Sequence, residues 1–230
     1  MRTARFFLLT IFFVFQKLFA LDLSFTGKEL DLGLKGEYNR TFLFSGDISL
    51  KSALELNHRY TFKAGIAYGI LDDNPEIKAF AGTHFSPLID KPFNLCLTYI
   101  YNDLSEYDVN SHTVLPFVSY YGRWAGIAFG VSFHFTSFFA ESMVYEPLFS
   151  YSAYVNFINN KLLRIGIGCS NFGDFYVRNT GSYSLNVNSV IHISELLSLS
   201  NEIELIQSGS VALTGSFYGI AFRGGVQLRW

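Results

Sequence analysis

The chain has 230 residues, a length typical of one domain or two small ones. Its residues are 50% hydrophobic and 18% aromatic but only 16% charged, whereas soluble domains are roughly 25% charged. The formal net charge of -2 offers no basic surface for nucleic acid, and two cysteines are too few for a disulfide-stabilised miniprotein. Composition therefore excludes disorder, a coiled coil and a nucleic-acid-binding protein, and leaves a membrane protein or a very apolar secreted β protein.

The first twenty residues have the order of a secretory signal peptide. Arg2 and Arg5 precede an apolar run over residues 6–15, and Ala20 supplies a small residue for cleavage. The run is much shorter than the ~20 apolar residues that a spanning helix needs. We predict a cleaved signal peptide over residues 1–20 and a single mature domain over residues 21–230.

Beyond Ala20, apolar and polar residues alternate with a period of two. The pattern is found over residues 28–37, 47–57 and 60–70, and is cleanest over residues 125–136. Side chains of a strand point alternately to its two faces, so each segment predicts a strand with one apolar and one polar face. No later window has the ~18 uninterrupted apolar residues of a membrane helix.

The alternating segments keep their phase over the 9–11 residues of a spanning strand, rather than the roughly 5–6 of a soluble one. About twelve begin near Lys28, Asp47, Tyr60, Glu76, Pro92, His112, Trp124, Pro147, Leu162, Ser182, Leu196 and Phe217. Bacterial single-chain barrels have an even number of strands, and an open sheet edge is not tolerated in lipid. We predict an all-β, up-and-down antiparallel transmembrane barrel of about 12 strands, or 10 if two segments merge.

The predicted connections are short at one end of the barrel and mostly longer at the other, as in transmembrane barrels. The short turns are residues 57–59, 86–91, 121–123, 159–161 and 194–195. The outward loops are residues 102–111, 137–146, 171–181 and 207–216, with a tight exception at 72–75. Pro116 lacks a backbone donor, and a β-bulge there would accommodate it.

The C-terminus carries a recognisable pattern. Arg223, Gly225, Leu228 and the terminal Trp230 follow the order polar residue, glycine, hydrophobic residue, terminal aromatic residue. This segment resembles the assembly signal of bacterial outer-membrane β-barrel proteins. The resemblance implies the outer membrane of a diderm bacterium as location, its lipid as surroundings, and the barrel-assembly machinery as a partner that reads these four positions.

In lipid the apolar faces must point outward, so the polar faces line the interior. The predicted pore-lining residues are Lys35, Glu37, Asp47, Lys51, Glu55, Lys63, His134, Arg164, His192, Glu202, Glu204, Arg223 and Arg229. The wall near the closing seam is charged with both signs. The opposite wall is small and neutral, with many glycine, serine and asparagine residues.

Barrel width leaves the function open between two principal readings. About eight strands enclose a filled interior and 16–18 strands an aqueous channel, so twelve strands fall between. Because small interior residues leave space, we expect a narrow passive channel for small hydrophilic solutes. The alternative is a structural or surface-interaction barrel with a plugged lumen, and a membrane-embedded hydrolase is a third candidate.

We expect no enzyme, metal or cofactor. Outer-membrane phospholipases use serine and histidine on the lipid face, whereas here the histidines fall on the interior phase (His84, His134, His192) or in connections (His58, His112). A protease-like set of acids with a histidine is offered only by Asp103, Glu106, Asp108 and His112, which is better explained as a solvated acidic loop.

No histidine, cysteine or aspartate spacing matches a metal motif. The two cysteines, Cys96 and Cys169, fall on opposite faces of strands that are not neighbours, so we expect both to be free.

Overall fold

The computed structural model describes residues 25–39, 45–70, 76–88, 92–104, 109–138, 142–178, 181–208 and 216–230. The predicted signal peptide and the expected tight connection at 72–75 lie outside these ranges. The twelve strands are β1 (Phe25–Asn39), β2 (Ser45–Leu56), β3 (Tyr60–Gly69), β4 (Ile77–Phe85), β5 (Phe93–Leu104), β6 (Val109–Tyr121), β7 (Ala125–Phe138), β8 (Ser142–Asn159), β9 (Leu163–Ser170), β10 (Ser182–His192), β11 (Leu197–Ser208) and β12 (Ser216–Arg229). The predicted twelve-strand barrel is confirmed.

The first and last strands close the barrel. They pair antiparallel from Glu29 opposite Arg229 to Asn39 opposite Gly219, and every other strand pairs with its neighbours in sequence. Each strand therefore has a hydrogen-bonding partner on both sides, which removes the open edge that lipid does not tolerate. None of the described segments forms a helix that could span a bilayer.

The alternation in sequence places apolar side chains on the outer surface, as predicted. Leu34, Phe129, Ile167 and Phe222, on four different strands, are 58%, 49%, 51% and 54% exposed. Exposing apolar surface to water costs about 25 cal/mol per Å². A continuous apolar surface around a closed barrel therefore belongs in hydrocarbon, and the inner face is left to polar residues.

The short turns lie at one end of the barrel, which we call the turn end, and their positions are confirmed to within a residue or two. They are residues 57–59, 122–124, 160–162 and 193–196, together with the connection between Phe85 and Phe93, of which residues 89–91 lie outside the described ranges. In the first, Asn57 and His58 have φ of 53° and 54°, and the Arg59 N–H donates to the Leu56 carbonyl at 3.1 Å. Two positive φ values are typical of a type I′ turn, whose twist matches that of paired strands.

Two of the expected long loops at the opposite end, the loop end, are wrong. Strand β5 continues to Leu104 and β6 begins at Val109, so most of residues 102–111 is strand. Likewise β7 continues to Phe138 and β8 begins at Ser142. Beyond the lipid a strand is surrounded by water and carries polar residues on both faces, so polarity there did not mark the end of backbone pairing.

The expected bulge at Pro116 is also absent. Strand β6 keeps one register with β7, from Val114 opposite Phe133 to Phe117 opposite Gly130, with no described pair between them. A Cβ on Gly130 would lie 2.2 Å from the Pro116 carbonyl oxygen. Pro116 has no N–H to donate, and the backbone pairing with β7 is interrupted at this position. Gly130 has no Cβ and therefore lets the two backbones approach closely there.

Candidate functional site

The connection between β9 and β10 folds into the barrel, where an outward loop was expected. We call residues 171–178 the inward hairpin. A bridge pairs Phe172 with Val177, and the Gly173 N–H donates to the Tyr176 carbonyl at 2.9 Å. The hairpin therefore has regular backbone pairing of its own.

Asn171 directs the chain into the lumen. This residue is completely buried, and its side chain bridges the backbone of β8: its Oδ1 accepts from the Tyr151 N–H at 2.7 Å and its Nδ2 donates to the Phe149 carbonyl at 2.8 Å. At the other end of the hairpin, the Arg178 N–H donates to the Asn171 carbonyl at 2.7 Å. The carboxamide thus takes the place of further strand pairing and ends β9 at its eighth residue.

The base of the inward hairpin is held by a buried carboxylate on β11. Glu204 is 1% exposed, and its two oxygens lie 2.7 Å from Arg178 Nη1 and 2.7 Å from Arg223 Nη2. Tyr176 Oη and Ser184 Oγ also donate to it. We call these five residues the Glu204 cluster. Both hydroxyl groups bond Oε1, whereas Oε2 makes no hydrogen bond within the described residues and is compensated by the ion pair with Arg223.

The tip of the inward hairpin reaches the opposite wall. Lys51 Nζ donates to Asp174 Oδ2 at 3.0 Å and lies 3.9 Å from Asp31 Oδ2. Strand β2, which carries Lys51, lies five positions round the ring of twelve from β9. Enclosure would raise the pKa of the Asp174 carboxyl, but the positive charges of Lys51, Lys63 and Arg223 outweigh it and lower that pKa to about 2.

Aromatic contacts support the hairpin along its length. The rings of Phe175 and Phe80 of β4 meet edge to face, with centroids 5.0 Å apart and an interplanar angle of 87°. The rings of Phe172 and Phe117 of β6 lie 5.4 Å apart. Together with the ion pair at the tip, these contacts show that the hairpin crosses the lumen and does not merely line one side.

A cavity of about 760 Å³ remains beside the hairpin. Its lining includes Glu76 and Asn102 at the loop end, Asp174 on the hairpin, and Tyr121 and Arg164 near the turn end. A second cavity of about 550 Å³ lies at the turn end among Glu29, Glu55, Lys63 and Arg229. The hairpin therefore narrows the interior without filling it.

The structure places the sequence-predicted pore residues in four settings. The larger cavity is lined by Lys35, Glu37, Asp47, Lys51, Arg164, Glu202 and Arg223. The smaller cavity is lined by Glu55, Lys63 and Arg229. Glu204 is closed off at the base of the hairpin. His134 and His192 are not among the lining residues of either cavity, and hydrogen-bond to hydroxyl groups of the wall.

The residues that narrow the interior were missed in the sequence because they lie in a connection. One signal was available: Phe172, Phe175, Tyr176 and Val177 make residues 171–178 strongly apolar. Large apolar side chains in a solvated loop have no partner to bury them, whereas an inward loop packs them against the wall.

Two interior glycines, Gly126 and Gly168, do not widen the lumen, contrary to the reasoning from the sequence, whereas Gly33 and Gly225 are among the residues that line the larger cavity. A Cβ on Gly126 would lie 2.3 Å from the Tyr154 ring, and one on Gly168 would lie 2.3 Å from Asn186 Oδ1. Side chains of neighbouring strands lie over these glycines and occupy the space. The remaining cavity depends instead on barrel width and on the position of the hairpin.

The histidine expectations need one correction. His112 belongs to β6 rather than to a connection, and it lies on the outward face opposite Tyr101, with its Nδ1 2.6 Å from Tyr99 Oη. A histidine therefore does reach the outer face. Asp103 belongs to β5, while Glu106 and Asp108 lie outside the described residues.

An interior serine–histidine pair was not anticipated. Ser132 Oγ lies 3.0 Å from His134 Nε2, and His134 Nδ1 lies 3.0 Å from Thr113 Oγ1. Ser132 is completely buried, and its hydroxyl lies 3.3 Å from the Leu148 carbonyl oxygen, so a substrate has no approach to the serine oxygen. Cys96 and Cys169 are both free, as expected.

No protein-family model and no curated protein matches the chain. Several solved structures match its fold. The NanC porin matches at 10% identity and a TM-score of 0.58, and the match covers 86% of this chain and 98% of the porin. The translocator domain of the autotransporter NalP from Neisseria meningitidis matches at 12% identity and 0.61, covering 100% and 98%. The outer membrane phospholipase OMPLA of Salmonella typhi matches at 9% identity and 0.50, covering 90% and 92%.

These likenesses show that the chain has the fold of an outer-membrane β-barrel, as the C-terminal pattern implied. A porin, a translocator domain and a phospholipase share this architecture, so the fold does not by itself decide what the chain does. The function must therefore be inferred from the residues inside the barrel.

Proposed function

We propose that the protein is a narrow passive channel of the outer membrane for small hydrophilic solutes, with the inward hairpin as its constriction. The observation that carries this proposal is the cavity of about 760 Å³, whose lining extends from Glu76 at the loop end past Asp174 to Arg164 near the turn end. A polar cavity that extends along the barrel beside a supported constriction is what diffusion through the barrel would use.

The size of the cavity sets the size of the solute. A cavity of about 760 Å³ falls within the range of about 300–1,000 Å³ found for pockets that hold drug-sized ligands. Small hydrophilic solutes would therefore fit beside the hairpin, and folded proteins would not.

The charges along the passage favour polar solutes of either sign. Basic and acidic side chains are paired with each other along its wall, for example Lys78 with Glu76 at 2.8 Å and Arg223 with Glu202 at 2.8 Å. Partly hydrated ion pairs on a wall give polar groups to a passing solute without a strong net field. The likeness to a solved structure that is named as a porin supports a channel.

A plugged barrel is the second candidate, because the hairpin itself favours it. Its tip is bonded to Lys51 and its base to Glu204, so it is held at both ends. In that case the lumen would be closed, and function would belong to the surface at the loop end. We do not propose catalysis, since the Ser132–His134 pair has no accessible nucleophile.

Single-channel conductance in a planar bilayer separates the two candidates. The variant to compare with the wild type replaces residues 172–177 with two glycines, so that the Arg178 N–H can still bond the Asn171 carbonyl across a β-turn. A channel predicts steady steps for the wild type and steps at least about twofold larger for the variant, because the constriction controls the mean cross-section.

Two outcomes would contradict the proposal. A silent wild type beside a conducting variant would show that the hairpin is a plug. Silence of both proteins, with the folded barrel verified by its faster migration in SDS gels before boiling, would exclude a conducting lumen altogether.

A further inference from the structure

One basic side chain in the larger cavity differs from all the others. Six basic residues line this cavity: Lys35, Lys51, Lys78, Arg164, Arg178 and Arg223. Five of them have carboxylate partners, namely Glu37, Asp174, Glu76, Glu204 and Glu202. Within the part of the chain that the structure describes, Arg164 has no carboxylate within 4.0 Å and no hydrogen-bonding partner, and its charge acts on the phenol of Tyr154.

The surroundings of Arg164 are polar and neutral. It is the second residue of β9, where it pairs with Asn159 of β8 and with Val190 of β10. At the next inward position of β9, the carboxamide oxygens of Asn156 and Asn188 lie on either side of Gly166, 2.5 Å and 3.3 Å from the position its Cβ would take. No acidic residue lies at these positions to neutralise the guanidinium.

We propose that Arg164 is a binding subsite for small carboxylate-bearing solutes inside the channel. A guanidinium presents a planar pair of donors that matches the two oxygens of a carboxylate, and here those donors face the cavity unoccupied by protein. The asparagine side chains beside it are suited to hydrogen-bond hydroxyl groups of the same solute. This inference rests on the proposed channel and adds to it a class of solute.

A singly charged carboxylate fits the cavity better than a phosphate dianion. One positive charge is available at Arg164, whereas Asp31, Glu37 and Asp47 lie on other parts of the same lining. A ligand with a second negative charge would find no second cation without a carboxylate partner among the described residues of this lining. The subsite should therefore favour anions with one charge over doubly charged ones.

Binding is tested first, independently of conduction, with the refolded protein in detergent micelles. Saturation-transfer NMR measures contact of lactate with the protein, and glycerol serves as the uncharged probe of similar size. We expect Arg164→Gln to reduce the lactate signal at least threefold and to leave the glycerol signal unchanged. Arg164→Lys should keep most of the lactate signal because it keeps the charge.

The matched control is Lys161→Gln. Lys161 lies three positions before Arg164, in the exposed turn between β8 and β9, and is not part of either cavity lining. The substitution Lys161→Gln removes one positive charge from the same end of the barrel as Arg164→Gln does. A general electrostatic effect would therefore reduce the lactate signal in both variants. The inference would be overturned if both variants reduced the lactate signal equally. It would also be overturned if inorganic phosphate displaced lactate as effectively as added lactate does.

Reversal potentials in a bilayer then separate the subsite from the channel. With a tenfold KCl gradient, Arg164→Gln should shift the wild-type reversal potential toward cation preference, and Lys161→Gln should not. A conducting channel with unchanged selectivity and unchanged lactate binding would refute the subsite and leave the channel standing. A silent barrel whose lactate signal still depends on Arg164 would refute the channel and leave the subsite standing.

Discussion

Neutralising Glu204 without changing its shape, in the variant Glu204→Gln, should destabilise the barrel strongly. The carboxylate is 1% exposed and lies 2.7 Å from a nitrogen of Arg178 and 2.7 Å from a nitrogen of Arg223. Removing one member of a buried ion pair costs about 3–5 kcal/mol, because the remaining charge is left without compensation.

The expected cost is somewhat lower here, because water in the lumen still reaches the partners. The side chains of Arg178 and Arg223 are 16% and 29% exposed, and Arg223 keeps Glu202 as a second carboxylate. We therefore expect a loss of about 2–3 kcal/mol in the free energy of unfolding. For a chain of this length, each kcal/mol lowers the unfolding midpoint by about 2–4 °C, which amounts to roughly 4–12 °C.

The assay is urea unfolding of the refolded protein in micelles, together with the temperature at which the folded form loses its fast migration in SDS gels. Glu202→Gln is the matched control, because that carboxylate lies 2.8 Å from the same Arg223 but is 24% exposed. An exposed pair of this kind contributes about 0.2–1 kcal/mol. If both variants lost the same stability, or if Glu204→Gln lost less than about 0.5 kcal/mol, burial of the Glu204 cluster would not be what holds the hairpin.

Three further predictions concern the hairpin tip, one glycine and the C-terminus. Asp174→Asn should raise single-channel conductance by loosening the tip from Lys51. Because the pKa of Asp174 is lowered to about 2, its contact with Lys51 is complete above about pH 4 and is lost as the pH falls toward 2. The difference in conductance between wild type and variant should therefore be constant from about pH 8 to 5 and should shrink below about pH 4. Gly130→Ala should impair refolding, since its Cβ would lie 2.2 Å from a backbone oxygen, whereas Gly224→Ala, with 3.8 Å to its nearest neighbour, should refold normally. Deletion of Trp230 should reduce the amount of barrel assembled in the outer membrane without reducing export, as measured by fractionation; normal assembly would exclude the C-terminal signal.

The strands and their outward faces were predictable from the sequence because both follow from local pattern. Leu32 and Leu34 alternate with Asp31 and Lys35, and lipid accepts only the apolar pair, so the direction of each side chain follows once the strand is recognised. Turns such as residues 57–59 were predictable for the same reason, since they interrupt the alternation. Where polar residues occur on both faces beyond the lipid, as at the consecutive residues Asn102 and Asp103 of β5, the pattern carries no such information and the strand ends were misjudged.

The path of residues 171–178 could be decided only by the closed barrel. Asp174 lies 123 positions from its partner Lys51, and Tyr176 lies 28 positions from Glu204. The two residues of each pair come into contact only when the strands close into a ring, because closure places β2 and β11 around the same interior. Within the described residues, register around the ring also left Arg164 without a carboxylate within 4.0 Å, while it placed Arg223 beside Glu202. Alternation along a strand specifies which side a residue faces, but register around the ring decides what it meets there.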